Sequence, residues 1–580
     1  VKYLGDAACV DCHAEITHAY HQHPMGRSAA VMATAPPIED FRPAANNPVT
    51  TQGFTLEARR DGDVVRHIMT ALADPSLPPY ITTADIAIGS GARGRSYLSL
   101  EENGAVWQSP LSWFSHESKW DASPGFTLPE STRRPIVPEC LFCHVDRVEP
   151  VPYSLNRFQQ PLLLGQAHVG CERCHGPGEL HVAERTAGII PDGLDTSIVN
   201  PKHLTHDLRM AICQQCHLQG EERITRRGQD IYAFRPGLPL ELFRTVFVRH
   251  PDLIDYHKSV GQFEQMVASK CFTASGGKMD CTSCHDPHAA PSPSDAAAFY
   301  RARCLSCHDT HGCSLPPPQR QAKADNCVAC HMPRASSTNI VHTAVTDHRV
   351  PRTPQPAKAV NPALDPRTPP LVPFTTSPHA PPADERERDL GIALAKLVRK
   401  VPASARALHQ VVGPQAEQRL AAALVLWPGD YDAWMAQALL AVSRGDDRGV
   451  LSAATMAEAL APDSEEALAM IAEAALTSDI DLALTTADRL ITANPSVTTY
   501  RTLRAQAHVK KQDWAAAAAD CRAALAIFPH NPDARVILGV CLHKQGDAAA
   551  GQAELEAAMK LVSNPQAKDR FRRWYTNMTR

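Results

Sequence analysis

The sequence predicts two architectures in series. Residues 1–350 read as short helices and loops with a small β insertion at about 50–110. Residues 385–580 read as an all-α solenoid of tandem repeats. Two observations predict this. The pentapeptide C-x-x-C-H occurs seven times, and every copy lies in the first 331 residues. After residue 385 the chain turns Ala- and Leu-rich, and prolines recur at Pro428, Pro462, Pro495 and Pro529, at intervals of 34, 33 and 34 residues. A stretch dense in Pro, Thr and Ala between the two predicts an extended connector over 351–384.

The seven motifs carry the chemistry. Their cysteine pairs are Cys9 and Cys12, Cys140 and Cys143, Cys171 and Cys174, Cys213 and Cys216, Cys281 and Cys284, Cys304 and Cys307, and Cys327 and Cys330. Each pair is followed at once by a histidine: His13, His144, His175, His217, His285, His308 and His331. This is the signature of covalent haem c attachment. Two thiols add to the haem vinyl groups from one short helical turn, and the next histidine reaches the iron. Structural zinc sites also use Cys-x-x-Cys pairs, but they do not require a histidine after every second cysteine. A thioredoxin-like reading needs a βαβ context that is absent. The first module is therefore predicted to be a multihaem cytochrome c domain, with short helices and loops around seven stacked haems.

Each iron needs a sixth ligand, and histidine is abundant. Twenty of the 27 histidines lie outside the motifs, fifteen of them in the first module. His288, three residues past a motif histidine, is well placed to reach a neighbouring haem. His168 and His181 bracket the third motif, and His342 and His348 close the module. His67 and His116 in the insertion, one of His203 and His206, and His23 complete the candidates. Met25 offers a thioether beside His23, which would raise the potential of its haem; Met266 could do the same, and core filling is the competing reading for both. His379 reads as a connector residue, and His409, His508, His530 and His543 as surface or groove residues of the repeats. Four cysteines remain: Cys271 with Cys313, and Cys521 with Cys541, are candidate disulfides in an oxidising compartment.

In the insertion, Asp61-Gly62 and Asn103-Gly104 read as hairpin turns, with alternation over Ser96–Leu100. In the second module, Gly445-Asp446, Gln512-Asp513 and Gly546-Asp547 fall at matching turns between helices. A period near 34 with small residues at helix crossings predicts four or five tetratricopeptide-like (TPR-like) repeats, an architecture that presents a surface for protein docking.

Charge and hydropathy exclude some classes. A formal net charge of −4 over 580 residues gives no footprint for nucleic acid. No apolar run is long enough to span a membrane. Val1–Asp6 is short and polar, and haem attachment to thiols occurs outside the cytoplasm. The numbering is therefore expected to start at a mature N-terminus, in a periplasmic or extracellular protein.

The motif contexts resemble the cytochrome c554-related multihaem family in its form fused to tetratricopeptide repeats. The resemblance is carried by Gly5-Asp6-Ala7-Ala8-Cys9-Val10-Asp11-Cys12-His13, by Cys171 through Glu179 with His181, by Cys213 through Gly220, by Cys281 through His288, by Cys327 through Pro333, and by Thr346-Asp347-His348-Arg349. Trp107-Gln108-Ser109-Pro110 and Trp120 to Gly125 are similar to what precedes the second haem in such fusions. The resemblance implies close-stacked, mainly bis-histidine haems and electron transfer. The repeats would dock a redox protein partner, or a second copy in a head-to-tail polymer or conductive filament. The alternative is an oxidoreductase acting on a small nitrogen or sulfur compound at one open haem; a purely structural role, with haems as staples, is the third class. Every motif is the ordinary C-x-x-C-H and histidines are in surplus, so transfer is expected rather than an enzyme, and no catalytic residue is assigned.

Overall fold

The structure is a computed structural model, and it describes residues 1–130, 132–250, 261–308, 313–336, 344–353, 368–374, 378–400 and 406–580. The first module is mixed α/β, which corrects the expectation of short helices and loops around one small insertion. Strands begin at residue 29 and run to 135, well beyond 50–110. They are β1 (Ala29–Val31), β2 (Val49–Thr51), β3 (Phe54–Asp61), β4 (Val64–Ala71), β5 (Tyr80–Ala84), β6 (Ile86–Ile88), β7 (Arg95–Leu100), β8 (Val106–Phe114), β9 (Lys119–Ala122) and β10 (Arg134–Pro135).

These strands make two antiparallel sheets, one ordered β2-β3-β4-β5, the other β1-β6-β7-β8-β10 with β9 also paired to β8. Alternating residues face inward, as period-two patterning requires. Phe54, Leu56, Val65 and Met69 of one sheet meet Tyr97, Leu111, Trp113 and Trp120 of the other in a shared core. The Asp61-Gly62 turn closes β3–β4, pairing Asp61 with Val64, and Gly62 takes φ +60°. Gly104 takes φ +84° in the β7–β8 connection, where a Cβ would sit 2.4 Å from the Phe158 carbonyl oxygen.

Around this sandwich, the motifs sit on short helices. They close or fill the helices Pro138–His144, Glu172–His175, His206–His217, Ala296–His308 and Cys327–His331; the first lies at Ala7–Val10, the fifth on the turn Cys281–Ser283. The helical step puts Cys at i and i+3 and His at i+4 on one side. Later strands are β11 (Glu222–Thr225), β12 (Arg244–Arg249), β13 (Arg334–Ser336), β14 (Ala344–Thr346) and β15 (Leu371–Pro373). β15 falls inside the stretch read as a connector and pairs with β12, which also pairs with β11.

The second module is a run of antiparallel helices: Ala383–Lys400, Arg406–Leu426, Tyr431–Arg444, Asp447–Leu460, Glu465–Ala475, Ile480–Ala493, Thr498–Lys510, Trp514–Ile527, Pro532–Lys544, Ala548–Leu561 and Pro565–Thr579. The periodic prolines stand just past the ends of every second helix. The turns are capped in register: Asp446, Asp479, Asp513 and Asp547 each accept a hydrogen bond from the backbone N–H three residues on. Gly445, Gln512 and Gly546 reach those caps through positive φ.

One edge of the solenoid rests on the chain's own first module. Leu468, Ala472, Leu490, Val497, Tyr500 and Leu503 pack on Ala105 and Trp107. Phe528 and Leu561 enter the sandwich core. The first repeat helix packs on Ile224, Phe247 and Leu371. Polar contacts seal the seam: Arg157 donates to the Ala493 carbonyl, Asn494 to Asn156, and the Glu465 N–H to the Tyr153 carbonyl. His530, expected at the surface, is wholly buried against Phe54 and Phe528.

Candidate functional site

Three motif histidines face three non-motif histidines. His13 and His181 have ring centroids 6.5 Å apart with planes 18° from parallel. His175 and His288 stand at 6.0 Å and 12°, and His285 and His348 at 6.4 Å and 26°. Two imidazoles bound to opposite faces of one metal ion through nitrogens about 2 Å away place their centroids roughly 6 Å apart. All three pairs have that spacing, so the residues present fit bis-histidine haem.

Hydrogen bonds fix which nitrogen each imidazole offers. A carbonyl or carboxylate can only accept, so a ring nitrogen held by one carries the proton. His175 Nδ1 donates to the Val199 carbonyl at 2.8 Å, His348 Nδ1 to the Thr346 carbonyl at 2.7 Å, and His181 Nδ1 to Asp195 at 3.0 Å. His331 Nδ1 donates to the Pro351 carbonyl at 3.2 Å. In each case Nε2 keeps its lone pair, the usual outer arrangement of a metal-bound histidine. Burial also lowers the pKa of His144, His175, His285 and His348, that of His285 to about 4, so these imidazoles are neutral at pH 7.

The motifs themselves abut. Cysteines of different motifs lie within electrostatic reach of one another: Cys9 of Cys171, Cys143 of Cys216, Cys213 of Cys281, and Cys304 of Cys327. The third motif is pinned to the N-terminus by Glu172, which accepts from the N–H groups of Leu4, Gly5 and Gly178. Around the second motif, Arg173 and Arg244 lie over the Phe142 ring at 4.2 and 4.7 Å, with Tyr232 at its edge. Arg173 Nε and the Tyr232 hydroxyl are buried without a partner, donors that suit the carboxylate groups of a porphyrin. The helix Ala296–His308 buries none of its side chains against protein.

Other expected ligands are placed elsewhere. His67 alternates inward with Val65 and Met69 on β4, so its ring is sealed in the sandwich between Tyr97 and Trp120, with Nδ1 2.6 Å from Ser109 Oγ. His116 is exposed on the β8–β9 turn beside Glu117. His206 turns Nε2 to the Met279 carbonyl. The backbone N–H of Met25 donates to Nδ1 of His23, whose ring stacks on Tyr20; His23 lies within electrostatic reach of His288 and His285. His342 lies outside the described residues. His168 turns Nε2 to Asp6, together with His21, a residue the sequence reading passed over. Asp6 and Asp195 carried no sequence signal as site residues, because each meets its histidines only in the fold. All four non-motif cysteines are free thiols; Cys271 lies near Cys284 and Cys307 rather than pairing with Cys313, and Cys521 and Cys541 share a buried cluster.

Comparison with known proteins divides along the same line. A model of the doubled CXXCH motif matches residues 274–311. Two tetratricopeptide repeat models match residues 470–532 and 508–569. E3 ubiquitin-protein ligase CHIP of Arabidopsis thaliana is 35% identical over 77 residues, 13% of this chain; the match spans 28% of that protein's length. MamA 41-end from Desulfovibrio magneticus RS-1 aligns with 29% of this chain and 94% of its own at 18% identity and a TM-score of 0.25. YrrB, a TPR protein with an unusual peptide-binding site, aligns with 33% of this chain and 95% of its own at 16% identity and 0.27. No helix among the described residues is long and apolar enough to cross a membrane. The chain joins a C-x-x-C-H haem-binding module to tetratricopeptide repeats.

Proposed function

We propose that this protein transfers electrons through seven covalently bound haems c. The observation that carries the reading is the spacing of His13 with His181, His175 with His288, and His285 with His348. Bound at such pairs, haem supplies one-electron exchange without ligand change. The chain's own part is to fill both axial positions of these pairs, to hold His175, His181 and His348 by Nδ1, and to bring motifs close together. The nearness of their cysteines sets the first motif beside the third, the second beside the fourth, the fourth beside the fifth, and the sixth beside the seventh. His217 adds reach to His144, His285 and His348. This continuity suits relay better than storage at isolated centres. Export to the periplasm or cell exterior follows from the attachment chemistry. The repeats spend one edge on the sandwich, so a redox partner, or a second copy in a filament, would dock on what remains.

A second reading, an oxidoreductase acting on a small nitrogen or sulfur compound, is favoured by one observation. Among the described residues no non-motif imidazole pairs with His217, His308, His331 or His144; His144, which closes the second motif, has His217 in electrostatic reach. Arg173, Arg244 and Tyr232 crowd the same motif.

Haem-to-protein ratio by pyridine haemochrome tests the cofactor count, with seven expected. Reduced protein mixed with nitrite, hydroxylamine or sulfite separates the readings. Reoxidation only by protein acceptors supports transfer; catalytic reoxidation by one of the small compounds replaces it with the enzyme reading.

A further inference from the structure

Asp6, His21 and His168 come together from two distant parts of the chain, next to the contact of the first and third motifs. Asp6 Oδ2 faces His21 Nε2 at 3.3 Å and His168 Nε2 at 3.1 Å, and the two rings meet edge to face with centroids 5.0 Å apart. Among the described residues this is the one group of three metal-capable side chains whose ligand atoms all lie within 4.8 Å of each other. We propose that it is a non-haem site for a divalent transition-metal ion, separate from the haem irons, with two imidazoles and one carboxylate as ligands.

Three features support a site over a chance cluster. First, the spacings suit a coordination shell. Ligand atoms each about 2.1 Å from one ion stand roughly 3 to 3.4 Å apart in octahedral or tetrahedral geometry. Both Asp6–His distances fall there; as hydrogen bonds they put a proton on each Nε2, and an ion bound between them would shift that proton to Nδ1. Secondly, the carboxylate is oriented from behind. Its other oxygen, Oδ1, accepts from the Cys171 N–H at 2.7 Å and from Gln166 Nε2 at 3.0 Å. Oδ2 faces the two imidazoles, and the Cys171 side chain also reaches the carboxylate, an outer arrangement of the kind that fixes metal-bound carboxylates. Gly170 makes this approach possible: a Cβ there would sit 1.8 Å from Gln166 Nε2 and 2.8 Å from Asp6 Oδ1. Thirdly, the site is closed on one side and open on the other. The Asp6 side chain is 5% exposed, His168 19% and His21 38%, so an ion could enter past His21 and keep water in its remaining positions.

The donor set selects the ion. Two imidazoles and a carboxylate with open positions suit zinc or ferrous iron and offer no soft sulfur for cuprous copper. The competing role, two imidazoles donating hydrogen bonds to a buried carboxylate, needs no ion. His168 was also a candidate haem ligand, and that role uses the same Nε2.

The test uses the haem-loaded full chain, with zinc as probe. After incubation with zinc chloride and desalting, elemental analysis should give one zinc per chain. Asp6→Asn and the double variant His21→Ala/His168→Ala should lose it, at unchanged haem content and unchanged visible spectrum. A wild-type protein that retains no more zinc than the double variant overturns the proposal. So does a carbon-monoxide-binding haem appearing in His168→Ala alone, which would assign that imidazole to a haem iron. Asp6→Glu, which keeps the charge and a ligand oxygen, should recover part of the zinc if the loss in Asp6→Asn is coordination rather than misfolding.

Discussion

His175 and His288 stand 6.0 Å apart, ring to ring and 12° from parallel, although they belong to different motifs' surroundings and lie more than a hundred positions apart in the chain. His175 closes the third motif, and His288 follows the fifth. The pair therefore ties the third motif to the segment that follows the fifth, and the His285–His348 pair ties the fifth to the segment that follows the seventh. Ligation and chain path are interlocked.

Removing one partner of such a pair should open one axial position and leave the thioether attachment alone. His288→Ala is expected to keep the full haem content and to add one carbon-monoxide-binding haem per reduced chain. His288→Met is expected instead to remain six-coordinate with a raised potential for one haem. Carbon monoxide difference spectra and a spectroelectrochemical titration of the three proteins check this.

Two buried histidines, His67 inside the sandwich and His530 where the solenoid meets it, make the fold sensitive to acid. Burial lowers His67 to about 3, and burial, then Arg535, lowers His530 to about 4. Both titrate near 6.5 when unfolded, so the unfolded chain binds more protons below that value. Stability is full above pH 6.5 and falls as pH drops toward 4, by about 1.4 kcal/mol per pH unit for each histidine. His67→Leu should flatten this slope by about half. Urea unfolding followed by far-ultraviolet circular dichroism at pH 7 and pH 5 measures it.

Arg388 is buried with Asp389 and Asp430, and reaches the Thr225 carbonyl of β11 and the rim residue Asp432. Asp389 in turn accepts from Thr245 of β12 at 2.6 Å. Arg388→Ala leaves buried Asp430 without its cation and Asp389 with only the longer Arg226 contact at 4.0 Å, and should cost about 3–5 kcal/mol. The loss should appear as early release of the first repeat helix in proteolysis, at unchanged haem content.

Tyr500 donates to Glu465 at 2.8 Å and packs with Trp107 in the seam. Tyr500→Ala removes a buried ring and leaves Glu465 with Asn494 alone, at a cost of about 3 kcal/mol. Hydrogen exchange should rise in residues 465–503 and in β8 together, because one cluster holds both. Exchange rising in the helices alone would place the seam elsewhere.

Much of the site was legible because the chemistry is local. Cys, Cys and His within five residues occupy one helical turn wherever they fall, and the repeat period follows from helix length and the cap that each turn needs. His181 and His288 were nominated by nearness to motifs and His348 by closing the module, and short segments can be aimed by the turn before them. His67 and His116 were nominated by lying in the insertion between the first two motifs; the β region is a sandwich, and alternation on β4 carries His67 into its core while the β8–β9 turn carries His116 into solvent. The length of the sandwich was hidden because β1, β2 and β10 are two or three residues each, too short to show a period.

The sequence by itself determined the C-x-x-C-H haem-binding motifs and the helical repeats, since each is written in spacings of a few residues. Only the tertiary structure decided which imidazoles face each other, that Asp6 gathers His21 and His168, and that the solenoid spends an edge on its own sandwich. Those are contacts between segments up to hundreds of residues apart. Their partners are chosen by burial and packing, which no local pattern encodes.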